Sequence, residues 1–211
     1  MNKILIFLFS LLISFSSNSE TNFSKKYILI TFHGLGGYES ENLDEATNIS
    51  ESLKAAGVVK MFNAGHGVSK RKFDLVLDNF GCQNGKQNQK DLGLIIIGYS
   101  WGARKSYEFS KTYLKKCGQK AERAYMIDGI QKLVTQFKHT PEAKMCKNFY
   151  KTISPIRGTS LKDCQNTDLT EICKTEGGGY LEGMPCHQLV ISEAYKLVMN
   201  DISTEQLDLN L

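Results

Sequence analysis

Leu94-Ile95-Ile96-Ile97-Gly98-Tyr99-Ser100-Trp101-Gly102-Ala103 carries an apolar run straight into the pattern G-x-S-x-G and on into a helical periodicity. A buried strand, a sharp turn and a helix in that order make a nucleophile elbow, with its serine raised at the turn. Gly98 and Gly102 leave room for the chain to turn under Ser100, because a side chain at either place would meet the opposite wall. Ser100 is therefore expected to stand exposed above a strand end. The flanking strand and helix carry this reading more than the five letters do, since so short a pattern also arises by chance.

Upstream, Lys26 to His33 is β-branched and aromatic enough for a buried strand, ended by Gly34-Leu35-Gly36-Gly37. Leu43, Ala46, Ile49, Leu53 and Ala56 fall on one face of a helix predicted over 43–56, with Asn42 and Glu45 as a capping pair and Gly57 as its stop. Val58 to Phe62 reads as a strand, and Phe73, Val76, Leu77 and Phe80 as a second helical face. A polar loop, Gln83 to Asp91, then leads into the elbow strand.

Downstream, Ala103, Tyr107, Ser110, Leu114 and Cys117 line a helix that Gly118 ends, and Ala124 to Ile127 is a strand stopping at Asp128. Ile130, Leu133, Val134 and Phe137 suggest a short helix, and Phe149 to Ser154 another strand. The stretch from Pro155 to Pro185 is loop-rich, and Ile191, Ala194, Tyr195 and Val198 mark a last helix. Strand and helix alternate, which predicts an α/β fold of three layers with a mainly parallel sheet. Gly129 to Lys144 is too short for a large cap domain.

Met1-Asn2-Lys3 followed by the apolar stretch Ile4 to Phe15 and the small polar run Ser16 to Ser19 reads as a signal peptide over 1–19. Residues 20–211 then form one domain, secreted or periplasmic, with no stable membrane span once the leader is cleaved. A formal charge of +4 for the whole chain, spread along its length, marks no nucleic-acid partner. The sequence names no oligomeric state. All six cysteines lie beyond the leader, which in an oxidising compartment predicts at least two disulfides. The helices ending near Cys82 and at Cys117 precede and follow the elbow strand, so both ends fall at the sheet edge opposite Ser100 and a Cys82–Cys117 bridge is feasible. Cys164, Cys173 and Cys186 are expected on the Ser100 side. No CxxC or HxxxH spacing points to a metal.

With HGLGG at His33 to Gly37, GYSWG at Gly98 to Gly102 and the late His187, the chain resembles a minimal α/β-hydrolase of the lipase, esterase and thioesterase kind. The resemblance implies an oxyanion hole made by the backbone N–H groups of Trp101 and Leu35, a structural or supporting role for His33, and no cofactor. It also implies a triad in the chain order Ser, acid, His. His187, expected in a loop just before the last helix where such proteins keep their base, is the base: His139 sits at the far end of the helix leaving Asp128, and His66 precedes the nucleophile. Asp128, directly after a strand, is the preferred acid. Asp163 and Asp168 are the alternatives, since Cys164 and Cys173 around Asp168 resemble the disulfide-bracketed acid loop of cutinases, whereas Pro155-Ile156-Arg157-Gly158 carries no acid.

Two classes of function follow. One is a serine hydrolase that forms an acyl-enzyme on Ser100 from a small-molecule or lipid-like ester or thioester, with acyl transfer open to the same residues. The other is a binding protein that keeps the fold without activity. Retention of all three triad residue types and both oxyanion loops favours the enzyme.

Overall fold

The computed structural model describes residues 25–34, 41–132, 135–153, 156–175 and 184–208. The leader expected over 1–19 lies outside them. Strand β1 (Lys26–His33) is followed by β2 (Leu43–Glu45), helix α1 (Glu51–Ala55) and β3 (Val58–Gly65). Helix α2 (Phe73–Leu77) leads to the short strands β4 (Cys82–Gln83) and β5 (Lys86–Gln87), then to β6 (Leu92–Tyr99) and α3 (Gly102–Cys117). Then come β7 (Ala121–Ile127), β8 (Ile130–Lys132), β9 (Thr135–Gln136), β10 (Ala143–Tyr150), β11 (Gln165–Asp168), α4 (Thr170–Thr175) and α5 (Met184–Asp208).

A 7-stranded sheet runs in the order β11-β10-β7-β6-β1-β3-β2, parallel throughout except for antiparallel β2 at one edge. The chain begins in the middle at β1, adds β3 on one side, then β6, β7, β10 and β11 on the other. Its direction of travel therefore reverses between β1 and β6, and the crevice at the carboxyl ends of these two strands is where open α/β sheets place their sites. Ser100 follows β6 at that point.

The strands read as unbroken apolar runs because helices cover both faces. Ile28, Ile30, Phe32, Leu94 and Ile96 pack with Phe73, Val76, Phe109 and Tyr113 of α2 and α3. Their neighbours Leu29, Ile95, Ile97, Tyr125 and Ile127 pack on the other face with Leu53 and Ala56 at α1 and with Val190, Ala194 and Val198 of α5. This is the three-layer α/β architecture expected from the sequence, and the described residues between β7 and β10 hold no large cap. No helix among the described residues is long and apolar enough to cross a membrane.

Several elements differ from expectation. The helix predicted over 43–56 is a strand and then one helical turn: Leu43 to Glu45 pair with β3, and Ser50 caps α1 by accepting the Leu53 N–H at 3.4 Å. Asn42 is not a cap, since its carbonyl accepts the Gly65 N–H at 3.2 Å. The loop of 83–91 contains a hairpin whose turn residues Asn84 and Gly85 both have positive φ, 50° and 74°, as a two-residue type I′ turn requires. The helix predicted over 130–137 is the hairpin of β8 and β9, anchored where Phe137 donates to the Gly129 carbonyl at 3.2 Å. β10 starts at Ala143 rather than near Phe149. Its alternation is masked by the buried Asn148, whose amide nitrogen donates to the Thr159 carbonyl at 3.0 Å and to Asn166 Oδ1 at 2.7 Å. The loop-rich 155–185 contains β11 and α4.

Candidate active site

Ser100 sits at φ 55°, a left-handed conformation that costs a non-glycine residue about 1–3 kcal/mol. Backbone hydrogen bonds hold it there: its N–H donates to the Ile127 carbonyl (2.9 Å), and its carbonyl accepts from the N–H groups of Ala103 (3.2 Å) and Ile130 (3.1 Å). The need for glycine on either side is steric. A Cβ on Gly98 would lie 2.0 Å from Ser106 Oγ of α3, and one on Gly102 would lie 2.0 Å from the Phe32 carbonyl of β1. Gly34 closes the site from β1, where a Cβ would come within 2.5 Å of Ser100 Cβ. Ser100 is thus only 5% exposed, which corrects the expectation that it stands free above the strand.

His187 lies in the first turn of α5 rather than in a loop before it. The helix begins at Met184, and its first turn is where proline is tolerated, since the missing N–H has no intrahelical partner there. The ring is buried, with Nε2 2.8 Å from Ser100 Oγ and Nδ1 2.6 Å from Asp128 Oδ2. Nδ1–H donates to the carboxylate, which leaves Nε2 as the acceptor for the serine hydroxyl. These contacts form a Ser-His-Asp triad geometry.

Asp128 follows β7 at φ 41° and donates its own N–H to the Phe149 carbonyl at 2.7 Å. Its carboxylate is fully buried and held from several sides. Oδ1 accepts the Gly158 N–H at 2.6 Å and, more loosely, the Lys151 N–H at 3.4 Å. Oδ2, already bonded to His187, also lies 3.2 Å from Lys151 Nζ. Gly158 makes this approach feasible, since a Cβ there would lie 2.7 Å from Asp128 Oδ1.

No protein-family model, curated protein or solved structure matches this chain. The triad geometry is consistent with the hydrolase superfamily in general and assigns no narrower family.

Asp168, the alternative acid, turns away from His187: its Oδ1 accepts the Thr170 N–H at 2.8 Å and the Thr170 hydroxyl, and so orders the start of α4. Asp163 occupies a turn before β11 at φ 60°. The cutinase-like bracket is not formed, because Cys164 pairs with Cys146 in mid-β10 and Cys173 pairs with Cys186. Only the latter pair lies beside His187. Cys82 and Cys117 are bonded, as the positions of the two helix ends suggested.

His139 stacks on Tyr107 at 5.0 Å, away from Ser100. His33 has a supporting place: its Nδ1 accepts the Tyr99 hydroxyl and its Nε2 donates to Asn63 Oδ1 at 3.3 Å. Burial lowers the His33 pKa against the opposing Asn63 bond and raises that of Tyr99 to about 12, so the pair is neutral near pH 7.

Trp101 immediately precedes the 16-residue helix α3, at an N-terminus where backbone N–H groups lack helical acceptors. Leu35 lies outside the described residues. A cavity of about 290 Å³ opens beside Trp101, lined by His66, Trp101, Arg104 and Lys105. Its cationic character is muted, for Arg104 and Lys105 both pair with Glu108, at 3.1 and 3.4 Å. Burial, with Lys105 adding to it, lowers the pKa of His66.

Sequence reasoning missed Lys151 and Gly158. Neither belongs to a motif: Gly158 falls in the loop-rich stretch that begins at Pro155, at a place that carries no acid.

Proposed function

We propose that the protein is a secreted or periplasmic serine hydrolase, a single domain over 20–211, that cleaves a small-molecule or lipid-like ester or thioester through an acyl-enzyme on Ser100. The observation that carries this reading is the continuous relay from Ser100 Oγ to His187 Nε2 (2.8 Å) and from His187 Nδ1 to Asp128 Oδ2 (2.6 Å), set on a strained elbow. His187 takes the Ser100 proton as Oγ attacks the acyl carbon, and Asp128 stabilises the imidazolium that forms. The resemblance implies that the backbone N–H groups of Trp101 and Leu35 stabilise the developing oxyanion. His187 then protonates the leaving alcohol or thiol, and water, activated by the same ring, releases the acid. Three disulfides support an oxidising compartment.

The test is labelling of Ser100 by a fluorophosphonate, followed by turnover of p-nitrophenyl esters and thioesters of graded chain length. Ser100→Ala and His187→Ala should each lower kcat by about 10⁴ to 10⁶ while the fold, read by circular dichroism, is kept. Full turnover in Ser100→Ala would end this reading, and a folded wild type that neither labels nor turns over would favour the binding protein.

A further inference from the structure

Lys151 is a fully buried lysine beside the triad, and the relay from Ser100 to Asp128 does not use it. It follows β10 directly, with both its side chain and that of Asp128 at 0% exposure. An ammonium in such a place is expensive unless paired, and a buried carboxylate has the same need. The two meet at 3.2 Å, and Nζ also donates to the Ile156 carbonyl. Lys151 thereby touches the carboxylate twice, through Nζ at Oδ2 and through its backbone N–H at Oδ1, while its bond to Ile156 holds the segment whose Gly158 N–H completes the cradle.

We propose that Lys151 is a positioning residue of this site: its ammonium fixes the Asp128 carboxylate in the orientation the triad needs and, by balancing that carboxylate's charge, sets the acid limb of the pH–rate profile. The proposal rests on the hydrolase reading above. Its electrostatic logic follows from one shared oxygen. Oδ2 accepts from His187 Nδ1 at 2.6 Å and lies 3.2 Å from Nζ, so the two cationic sites can be no more than about 6 Å apart. A triad carboxylate alone favours the imidazolium, and a carboxylate already balanced by an ammonium favours it less. Burial lowers the Lys151 pKa and the Asp128 charge opposes that shift. The neighbouring charges point elsewhere: Asp168 turns to Thr170, Glu171 pairs with Lys174, and Arg157 is exposed. Ser100 and Tyr99 on the β6 side are uncharged near neutral pH.

The experiment compares pH profiles of kcat/KM for wild type and Lys151→Met, which keeps an unbranched apolar stem and removes the ammonium. The expected result is an acid-limb midpoint about two pH units higher in the variant, from a unit charge removed at that range in an effective dielectric near 20. An unchanged midpoint with activity lowered equally at every pH would assign Lys151 a purely structural role and overturn the proposal. Should Lys151→Met fail to fold, ¹⁵N NMR of the wild-type lysine Nζ decides. An ammonium at pH 7 supports the proposal and a neutral amine overturns it. Absence of fluorophosphonate labelling at Ser100 in folded wild type would instead reject the hydrolase reading, and the NMR result would stand apart from it.

Discussion

Asp128 and Asp168 both close parallel strands at the carboxyl edge of the sheet, yet only Asp128 reaches His187. The difference lies in the backbone that follows. Asp128 turns into a left-handed conformation that sends its side chain over the edge, whereas Asp168 bonds forward to Thr170. Asp128→Asn should therefore lower kcat by about 10⁴, since an amide can hold the wrong imidazole tautomer. Asp168→Asn should leave kcat within severalfold and lower stability by about 1 kcal/mol. Measuring both on folded protein checks the assignment, and the reverse ranking would move the acid to β11. Ser100, His187 and Asp128 were legible because chemistry demands those residue types in that chain order. Lys151 was not, because a lysine that contacts a carboxylate 23 positions away leaves no local mark in the sequence.

At the level of elements, α5 brings the base to the nucleophile, and its first turn is tied down by the Cys173–Cys186 bridge to α4. Cys186 is buried and adjacent to His187, so the bridge restrains the ring's own backbone. The Cys82–Cys117 bridge joins β4 to the far end of α3, remote from the site. Replacing either pair with serine should reduce stability by about 2–4 kcal/mol, read as a lower Tm. Only the Cys173, Cys186 double variant should also lower kcat, and equal kinetic losses in both would show that His187 does not depend on this anchor. Long, two-sided apolar strands such as β6 were readable because burial on both faces leaves an uninterrupted signal. Short segments were not. Leu43 to Ala56 and Ile130 to Phe137 place apolar residues three and four apart, but over so few turns a strand followed by a turn produces the same spacing. The Asn84-Gly85 pair has the chemistry of a hairpin turn, but the polar residues around it gave the segment the pattern of a loop.

Across the whole molecule, the two sheet edges divide the work. The carboxyl edge carries strained residues and buried charges, while the amino edge is clamped where Glu122, at the start of β7, pairs with Lys25 before β1 and with Lys144 on β10 at 2.8 Å. Burial alone would raise the Glu122 pKa, but hydrogen bonds and charges from Lys144 and Lys25 bring it below its usual 4.5. A carboxylate lowered in the folded state stabilises the protein above its unfolded pKa, and that contribution disappears as pH falls through the folded value. Glu122→Gln should therefore lower stability at pH 7 by about 0.5–1 kcal/mol, the range for partly exposed ion pairs, with kcat unchanged because the site lies at the opposite edge. As pH falls through the lowered folded-state value the wild-type carboxylate takes up its proton, and the two melting curves should converge. Thermal melts of both proteins from pH 7 to pH 3 test this. A Tm difference that persists undiminished at pH 3 would show that Glu122 stabilises the edge through packing and neutral hydrogen bonds rather than through its charge.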